Sequence, residues 1–264
     1  MKLIIILLMN KSTIYPFQHL LGGLQTLSLI ELDKVKLLDR QDTKFVFNQA
    51  QLPVILDKIK PFYRILEISN NLVFTYDTTY FDTDNFLFYY QHHNENRKRF
   101  KVRFRKYSSN SNTFFEIKIK NNKNRTVKKR LMVDEMNGCL GEQEKDLVFE
   151  IIGLQPNKLT TKLNIQFSRI TLADNSFNER LTIDTNLSAK NGSSSKIFDN
   201  LVISEIKQKK YNPKSQYIQI LRELKIPEMR FSKYCMGILH VNKEIKYNRF
   251  KPKLLQINKI LTQI

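Results

Sequence analysis

Three neighbouring segments between Arg99 and Arg130 alternate apolar and basic residues with a period of two. They read RFKVRFRKY, TFFEIKIKN and RTVKKRL, and short polar stretches separate them. Successive side chains of a β-strand point to opposite faces. Each segment therefore predicts a strand with one apolar face and one face rich in lysine and arginine. Three such faces side by side repel one another unless water, salt or an anion neutralises them.

Charged residues also share one face in three other predicted strands, which read LDRQDTKFVFN, RLTIDTN and LVISEIKQK. The sets that share a face are Arg40, Asp42 and Lys44, then Arg180, Thr182 and Asp184, then Glu205, Lys207 and Lys209. A solvated outer face of an antiparallel sheet produces such a pattern. A closed barrel produces it as well, with the charged faces inward and helices over the apolar outside. The pattern alone leaves both arrangements open, but an inward basic lumen requires an anion.

The hydrophobic periodicity of the whole chain predicts about eight strands, mostly neighbours in sequence, and several helices. Helices are predicted at 24–34, 49–60, 83–92, 142–152, 217–224, 232–239 and 252–261, and a loop at 188–195. This order favours an α+β fold in which helices pack on an antiparallel sheet.

The charge balance points to a polyanionic partner. The chain has 264 residues, and its 44 lysines and arginines against 25 acidic residues give a formal charge of +19. Nucleic acid, polyphosphate, a nucleotide and an anionic membrane are the candidate classes. The two cysteines, Cys139 and Cys235, have no metal or redox spacing, which favours reduced thiols in a cytoplasmic protein.

The start of the chain is apolar from Leu3 to Met9. This run is too short to span a membrane, and no small-residue cleavage site follows it. We therefore expect Met9 to be the native start and residues 1–8 to be an over-extension of the reading frame.

Phosphate binding is the chemistry that the basic faces suggest. A triphosphate carries about four negative charges at neutral pH, so several cations must converge to hold it. The planar fork of arginine binds phosphate oxygens in pairs. Glu205 has two explanations, pairing with Lys207 or another cation, or holding a divalent ion that bridges phosphate oxygens. Asp42 has the same two explanations.

Other catalytic constellations are missing from the sequence. There is no glycine-rich phosphate loop, and the His92-His93 pair has no partner at the spacing of a zinc site. The many tyrosines and phenylalanines could stack bases in an RNA-binding sheet. Most of them fall on the apolar phase of strands or helices, so core packing explains them better.

Nine short motifs occur in order between Leu38 and Gly237: DTKF, YFDT, KVRFRKY, FFEIKIK, VKKR, SRI, RLTIDTN, SEIK and RFSKY. Each is weak by itself, but the ordered set is specific. It resembles the VTC domain, the polyphosphate polymerase branch of the triphosphate tunnel metalloenzyme (CYTH-like) superfamily. The resemblance implies an eight-stranded antiparallel β-barrel, or triphosphate tunnel, with helices packed outside and a helical C-terminal end. We expect an N-terminal extension at 1–36, the tunnel domain at 37–240 and a C-terminal helix at 241–264.

The resemblance also implies a reaction, the transfer of the terminal phosphoryl group of ATP to a growing polyphosphate chain with Mn²⁺ or Mg²⁺. Carried over by motif, the phosphate-binding residues are Lys44, Arg103, Arg105, Lys118, Lys129, Arg169, Arg180, Lys207, Arg230, Ser232 and Lys233. Arg103, Arg105, Lys233 and Glu205 are expected to be catalytic, and Glu205 is the expected metal ligand. Lys129 is chosen from the VKKR motif, where Lys128 and Arg130 are alternatives. Arg230 replaces a lysine of the family pattern.

One departure from the superfamily bears on the reaction. The superfamily pattern E-x-E-x-K reads Arg40, Asp42, Lys44 here, so one carboxylate has become a cation. This change disfavours a two-metal hydrolase. The alternatives are a tunnel triphosphatase acting on inorganic or nucleoside triphosphate and a non-catalytic polyphosphate- or polyanion-binding module. The expected partners are ATP, polyphosphate and a separate membrane protein, without specific nucleic acid.

Overall fold

The computed structural model describes residues 18–35, 40–109, 112–122, 125–134 and 138–262, so the prediction for residues 1–8 lies outside the described residues. The described strands are β1 Thr26–Leu27, β2 Gln41–Asn48, β3 Tyr63–Leu66, β4 Phe74–Asp82, β5 Arg99–Tyr107, β6 Thr113–Lys120, β7 Thr126–Val133, β8 Thr160–Asp174, β9 Glu179–Asn191, β10 Ser194–Ile197 and β11 Leu201–Gln208. The described α-helices are α1 Gln18–Leu21, α2 Leu29–Leu32, α3 Leu52–Ile59, α4 Leu87–His93, α5 Glu142–Ile152, α6 Gln216–Glu223, α7 Lys233–Val241 and α8 Lys251–Thr262.

Eight strands form one continuous antiparallel path in the order β2-β11-β9-β8-β4-β5-β6-β7. The end strands β2 and β7 do not pair with each other within the described residues. The sheet nevertheless curls, since its two end strands meet at one cavity: Lys44 of β2 and Lys128 of β7 both line it. The predicted α+β architecture is confirmed as an eight-stranded, barrel-like antiparallel sheet that hydrogen bonds do not close.

The two faces of the sheet differ as the alternation in β5 predicts. Phe100, Val102 and Phe104 are buried under α5, whose Val148 belongs to the same apolar cluster. The side chains between them, Arg103 among them, point to the opposite, concave face and line the cavity. A second outer cluster packs α3 and α6 against β2, β8, β9 and β11. Helices α3, α5 and α6 therefore cover the convex face, opposite the cations.

Helix α7 packs on the concave face of the sheet. A Cβ added to Gly237 would lie 2.7 Å from Leu163 Cδ2 and 2.8 Å from Ile165 Cδ1 of β8, so any larger residue would force these buried methyl groups to shift. The Ser232 hydroxyl accepts a hydrogen bond of 3.2 Å from the Cys235 amide and so caps the N-terminus of α7. This packing brings Ser232 and Lys233 into the cavity.

Two local predictions are wrong. The helix predicted at 24–34 is instead β1, the single turn α2 and a 3₁₀ turn, because the short segment pairs in parallel with β3. The loop predicted at 188–195 is a hairpin: β9 runs on to Asn191 and β10 returns alongside it around Gly192, whose φ is +54°.

The C-terminal segment is helical, and the helix predicted at 252–261 is α8. The side-chain amide of Asn48 donates to the carbonyl oxygens of Ile260 at 3.3 Å and Leu261 at 3.4 Å, which fixes the end of α8 against β2. Among the described residues, no helix has the length and apolar character needed to cross a membrane.

Candidate functional site: a basic cavity inside the sheet

The concave face of the sheet encloses a cavity of about 440 Å³, within the size range of small-molecule sites. Its described wall contains twelve basic residues and two carboxylates, those of Asp42 and Glu205. The basic residues are Arg40, Lys44, Lys101, Arg103, Arg105, Lys118, Lys128, Arg130, Arg169, Arg180, Lys207 and Lys233. The cavity is therefore strongly positive.

The cavity brings together ten of the twelve residues that the sequence selected. They are Lys44, Arg103, Arg105, Lys118, Arg169, Arg180, Glu205, Lys207, Ser232 and Lys233. β5 and β11 are four places apart in the eight-strand order, so Arg103 and Arg105 lie across the cavity from Glu205 and Lys207. The remaining two, Lys129 and Arg230, lie elsewhere.

The assignment of Lys129 to the cavity is wrong. In the pairing of β6 with β7, Lys129 lies opposite Ile117, which is fully buried on the convex face. Lys128 and Arg130 lie opposite Lys118 and Glu116, and both line the cavity. Directly opposed residues of an antiparallel pair share a face, so Lys129 points away from the cations.

Arg230, which the motif match makes a phosphate-binding residue, does not line the main cavity. The side chain is exposed and lines an adjoining cavity of about 240 Å³. The two cavities share Lys101, Lys118, Phe231 and Ser232 as walls. Arg230 lies three residues before the start of α7, so it stays outside while Lys233 enters the main cavity.

Glu205 forms ion pairs with two lysines. One carboxylate oxygen lies 3.1 Å from Lys44 Nζ, and the other accepts a hydrogen bond from Lys207 Nζ. Burial by itself raises the pKa of Glu205, but Lys207, Lys44 and Lys118 outweigh it and hold the pKa well below the usual range. Glu205 is therefore an anion at neutral pH in the centre of the cationic wall.

Asp184 and Glu116 are two further buried carboxylates that sequence reasoning did not select. Asp184 accepts hydrogen bonds from Arg169 at 2.6 and 2.8 Å and from Lys233 Nζ at 2.5 Å. Glu116 accepts from Arg103 at 2.6 and 2.8 Å and from Lys128 at 3.0 Å. The sequence signal was a single acid on each basic strand face.

The pKa values of these two carboxylates are low. Burial raises the pKa of Glu116, but Arg103 and its neighbours outweigh burial and lower it to about 2. Burial also raises the pKa of Asp184, but the charges of Arg169 and Lys233 outweigh burial and hold this pKa well below its usual range. Two-point arginine–carboxylate pairs of this kind fix the direction of the guanidinium plane.

Several other cations of the wall lack a carboxylate partner among the described residues. In the described part of the chain, Arg105, Lys118 and Arg180 form no ion pair, and the buried Nε of Arg180 has no hydrogen-bond partner. Burial, with the charges of Lys101 and Lys44, lowers the pKa of Lys118 to about 7. Buried donors without acceptors are costly, so the cavity is built for an anionic ligand.

Lys233 is a second lysine with an altered proton affinity. Burial lowers its pKa, the pairing with Asp184 opposes that effect, and the pKa ends at about 8. At neutral pH the ammonium form is still the major one. Lys233 therefore remains a donor at the N-terminus of α7.

The carboxylates of the wall determine how the cavity could hold a metal ion. Among the residues that the structure describes, no group of three histidine, cysteine, aspartate or glutamate side chains could hold one. Mg²⁺ commonly takes one or two protein carboxylates and completes its shell with water and substrate phosphates. Glu205, with Asp42 in the same wall, fits a site shared with phosphates and does not fit an all-protein cage.

The curled antiparallel sheet has a cation-lined interior. The model of the VTC domain matches residues 39–242, more than three quarters of the chain. This chain therefore belongs to the VTC domain family. Comparison with curated protein sequences returned no match.

Several solved structures resemble the chain at low identity. A putative adenylyl cyclase from Hippeastrum with a dominant triphosphatase activity is 13% identical, with a TM-score of 0.47 over 74% of this chain and 93% of that one. A putative adenylate cyclase from Bacillus halodurans is 12% identical, with a TM-score of 0.47 over 74% and 94%. A protein from Pyrococcus horikoshii OT3 is 12% identical, with a TM-score of 0.41 over 75% and 98%. Since these TM-scores are below 0.5, the family assignment depends on the sequence match.

Proposed function

We propose that this protein is a divalent-metal-dependent phosphotransferase that moves the terminal phosphoryl group of ATP to a growing polyphosphate chain inside the basic cavity. The convergence of twelve basic residues on one cavity, ten of them from strands of the sheet, carries the proposal. Membership of the VTC domain family supports it. A linear polyphosphate carries about one charge per phosphate, and it matches a cavity lined by cations on all sides.

The division of labour follows from the pairings in the wall. Arg169 and Arg103 are held in fixed directions by Asp184 and Glu116 and would orient phosphate oxygens. Arg105, Lys118 and Arg180 have no carboxylate partner among the described residues and would neutralise the phosphate charge. Phosphoryl transfer needs mainly alignment and charge stabilisation, and such a wall is suited to supply both.

Glu205 would hold the metal ion, Mn²⁺ or Mg²⁺, together with phosphate oxygens. When bound, the ion would neutralise charge on the transferred group. Lys44 and Lys207 keep the Glu205 carboxylate ionised and oriented toward the cavity. Lys233 would contact the phosphate from the N-terminus of α7.

The nucleophile in this proposal is the terminal phosphate of the growing chain. This group is already ionised at neutral pH, so no general base is required. The described wall of the main cavity contains no histidine, which is consistent with that requirement. Because ATP is a cytoplasmic substrate, we expect the activity in the cytoplasm, with a separate membrane partner as a possible acceptor of product.

Incubation of the purified protein with ATP and Mn²⁺ or Mg²⁺ tests the proposal, with product sized on a polyacrylamide gel and ADP measured in parallel. A long phosphate polymer formed with one ADP per phosphate added supports polymerisation. Orthophosphate and ADP without polymer would show a triphosphatase instead. Tight binding of polyphosphate without turnover under either ion would show a binding module.

A further inference from the structure

We infer that Tyr80 is a further phosphate-binding residue of the cavity, whose hydroxyl donates a hydrogen bond to a non-bridging phosphate oxygen of the ligand. The inference rests on the proposed function only in taking the cavity as a phosphate site. It does not depend on which reaction follows binding.

The Tyr80 hydroxyl has a hydrogen-bond donor that no described residue uses. Tyr80 is 4% exposed and lines the main cavity. Its hydroxyl oxygen accepts a hydrogen bond of 3.2 Å from Arg103 Nη1. The described residues provide no acceptor for the hydroxyl hydrogen, although a buried tyrosine hydroxyl normally finds one. The surrounding wall is cationic, so an anionic oxygen of the ligand is the acceptor that the site lacks.

Arg103 has already committed most of its guanidinium N–H groups to protein partners. Its Nε and Nη2 donate to Glu116, and its Nη1 donates to Tyr80. Three of the five guanidinium N–H groups are therefore already engaged. The Tyr80 hydroxyl extends the reach of this cation, because a phenol that accepts from a guanidinium becomes a stronger donor on its other side.

Neighbouring residues hold the Tyr80 ring in place. Tyr80 lies directly opposite Arg103 in the pairing of β4 with β5. Its ring centroid lies 5.0 Å from that of Tyr234 in α7. The Tyr234 hydroxyl donates to Asp82, whose carboxylate also accepts from the amides of Phe88 and Tyr89 at the start of α4. The Tyr80 ring is therefore held between β5 and α7.

The electrostatic environment agrees with this geometry. Burial by itself raises the pKa of Tyr80, but the charges of Arg103, Arg105 and Lys101 outweigh burial and lower the pKa to about 8. A phenol whose proton is partly withdrawn in this way is a better donor to an anion.

Calorimetric binding of inorganic tripolyphosphate, without metal, to the wild type and to Tyr80→Phe tests the inference. The substitution keeps the ring and removes the hydroxyl, so we expect an affinity at least about tenfold lower with little change in thermal unfolding. Tyr211→Phe is the matched control, since the Tyr211 hydroxyl pairs with Glu228 outside both cavities, and its affinity should equal that of the wild type.

The outcomes separate this inference from the proposed function. Equal affinity of Tyr80→Phe and the wild type overturns the inference and leaves the proposed function standing. Loss of affinity in Tyr80→Phe, in a protein that makes no polymer from ATP, supports the inference and overturns the polymerase proposal. A wild type that does not bind tripolyphosphate overturns both.

Discussion

The carboxylate of Asp184 receives two hydrogen bonds from the guanidinium of Arg169, from Nε at 2.6 Å and from Nη2 at 2.8 Å. The two residues lie directly opposite each other in the pairing of β8 with β9. Asp184 also pairs with Lys233, so it connects two strands of the sheet to the start of α7. Because these side chains are nearly buried, the group behaves as a fixed part of the fold.

Replacement of Asp184 should destabilise the protein. Asp184→Asn leaves the cations of Arg169 and Lys233 without their counter-charge, and breaking a buried ion pair costs about 3 kcal/mol or more. Urea denaturation should show a lower midpoint with an unchanged slope. Asp57→Asn is the matched control. Its pair with Lys60 is exposed, so the free energy of unfolding should change by less than about 1 kcal/mol. Equal stability of the two variants would show that the Asp184 group is not structural.

A neighbouring pair of residues in β7 tests which face of that strand meets the ligand. Arg130 lines the cavity and forms no ion pair with any described residue, whereas Lys129 points to the convex face. Arg130→Ala should weaken tripolyphosphate binding about three- to tenfold, since Arg130 is exposed at the edge strand. Lys129→Ala removes the same charge from the other face and should change the affinity by less than about twofold. The reverse order of effects, measured by calorimetry at one salt concentration, would contradict the strand register.

The proton affinity of Lys118 predicts a pH-dependent binding step. Its pKa in the ligand-free protein is about 7, so above pH 7 it must take up a proton to meet an anion as a cation. The ratio of wild-type affinity to that of Lys118→Gln should therefore be greatest near pH 6. It should fall with rising pH by at most about tenfold per unit. Titration of tripolyphosphate itself cancels in this ratio. A ratio that stays constant between pH 6 and pH 9 would rule out the titration of Lys118.

The lowered pKa of Lys118 makes stability depend on pH in the opposite direction to ligand affinity. The unfolded chain has a normal lysine pKa near 10.5, so between pH 7 and about 10.5 it binds more protons at Lys118 than the folded state. The contribution of Lys118 to the free energy of unfolding therefore rises with pH across this window. Urea denaturation of the wild type and Lys118→Gln at pH 6.5 and pH 9 measures the difference. We expect the wild type to gain stability relative to the variant as the pH rises.

Glu205 should separate metal-dependent turnover from anion binding. Glu205→Gln keeps the shape but removes the charge, so we expect loss of at least about 99% of divalent-dependent product formation from ATP. Tripolyphosphate binding without metal should persist or become tighter, because one negative charge leaves a cationic wall. Arg103→Ala should abolish synthesis and also weaken binding. Glu150→Gln, on the exposed side of α5, is the matched control for Glu205→Gln. Full activity of folded Glu205→Gln would remove Glu205 from the metal site.

The face that each strand turns to the cavity could largely be read from sequence, because the side-chain period of a strand is fixed at two. The alternation in β5 assigned Arg103 and Arg105 to one face without knowledge of any neighbour. The same alternation placed Lys128 and Arg130 together, and it was the motif comparison that selected Lys129 instead. Three consecutive cations do not show which of them faces the cavity when motifs are compared. The flanking Val127 and Leu131 do show it, because they mark the apolar face of the strand.

The carboxylates behind the cavity could not be predicted from sequence. Glu116 and Asp184 each sit on a basic strand face, but their partners come from other strands and, for Asp184, from the start of α7. Which cation meets which acid depends on strand order and on the position of α7. Periodicity within one strand contains no information about either.

The sequence by itself determined that several strands carry a cationic side and an apolar side, because backbone geometry alone decides where alternate side chains point. Tertiary structure decided that these sides converge, that α7 enters the concave face through the contact at Gly237, and that Arg230 stays outside the main cavity. It also decided that residues 194–197 form a strand, because β10 pairs with β9. These features depend on contacts between residues far apart in the chain, and such contacts exist only once the chain has folded.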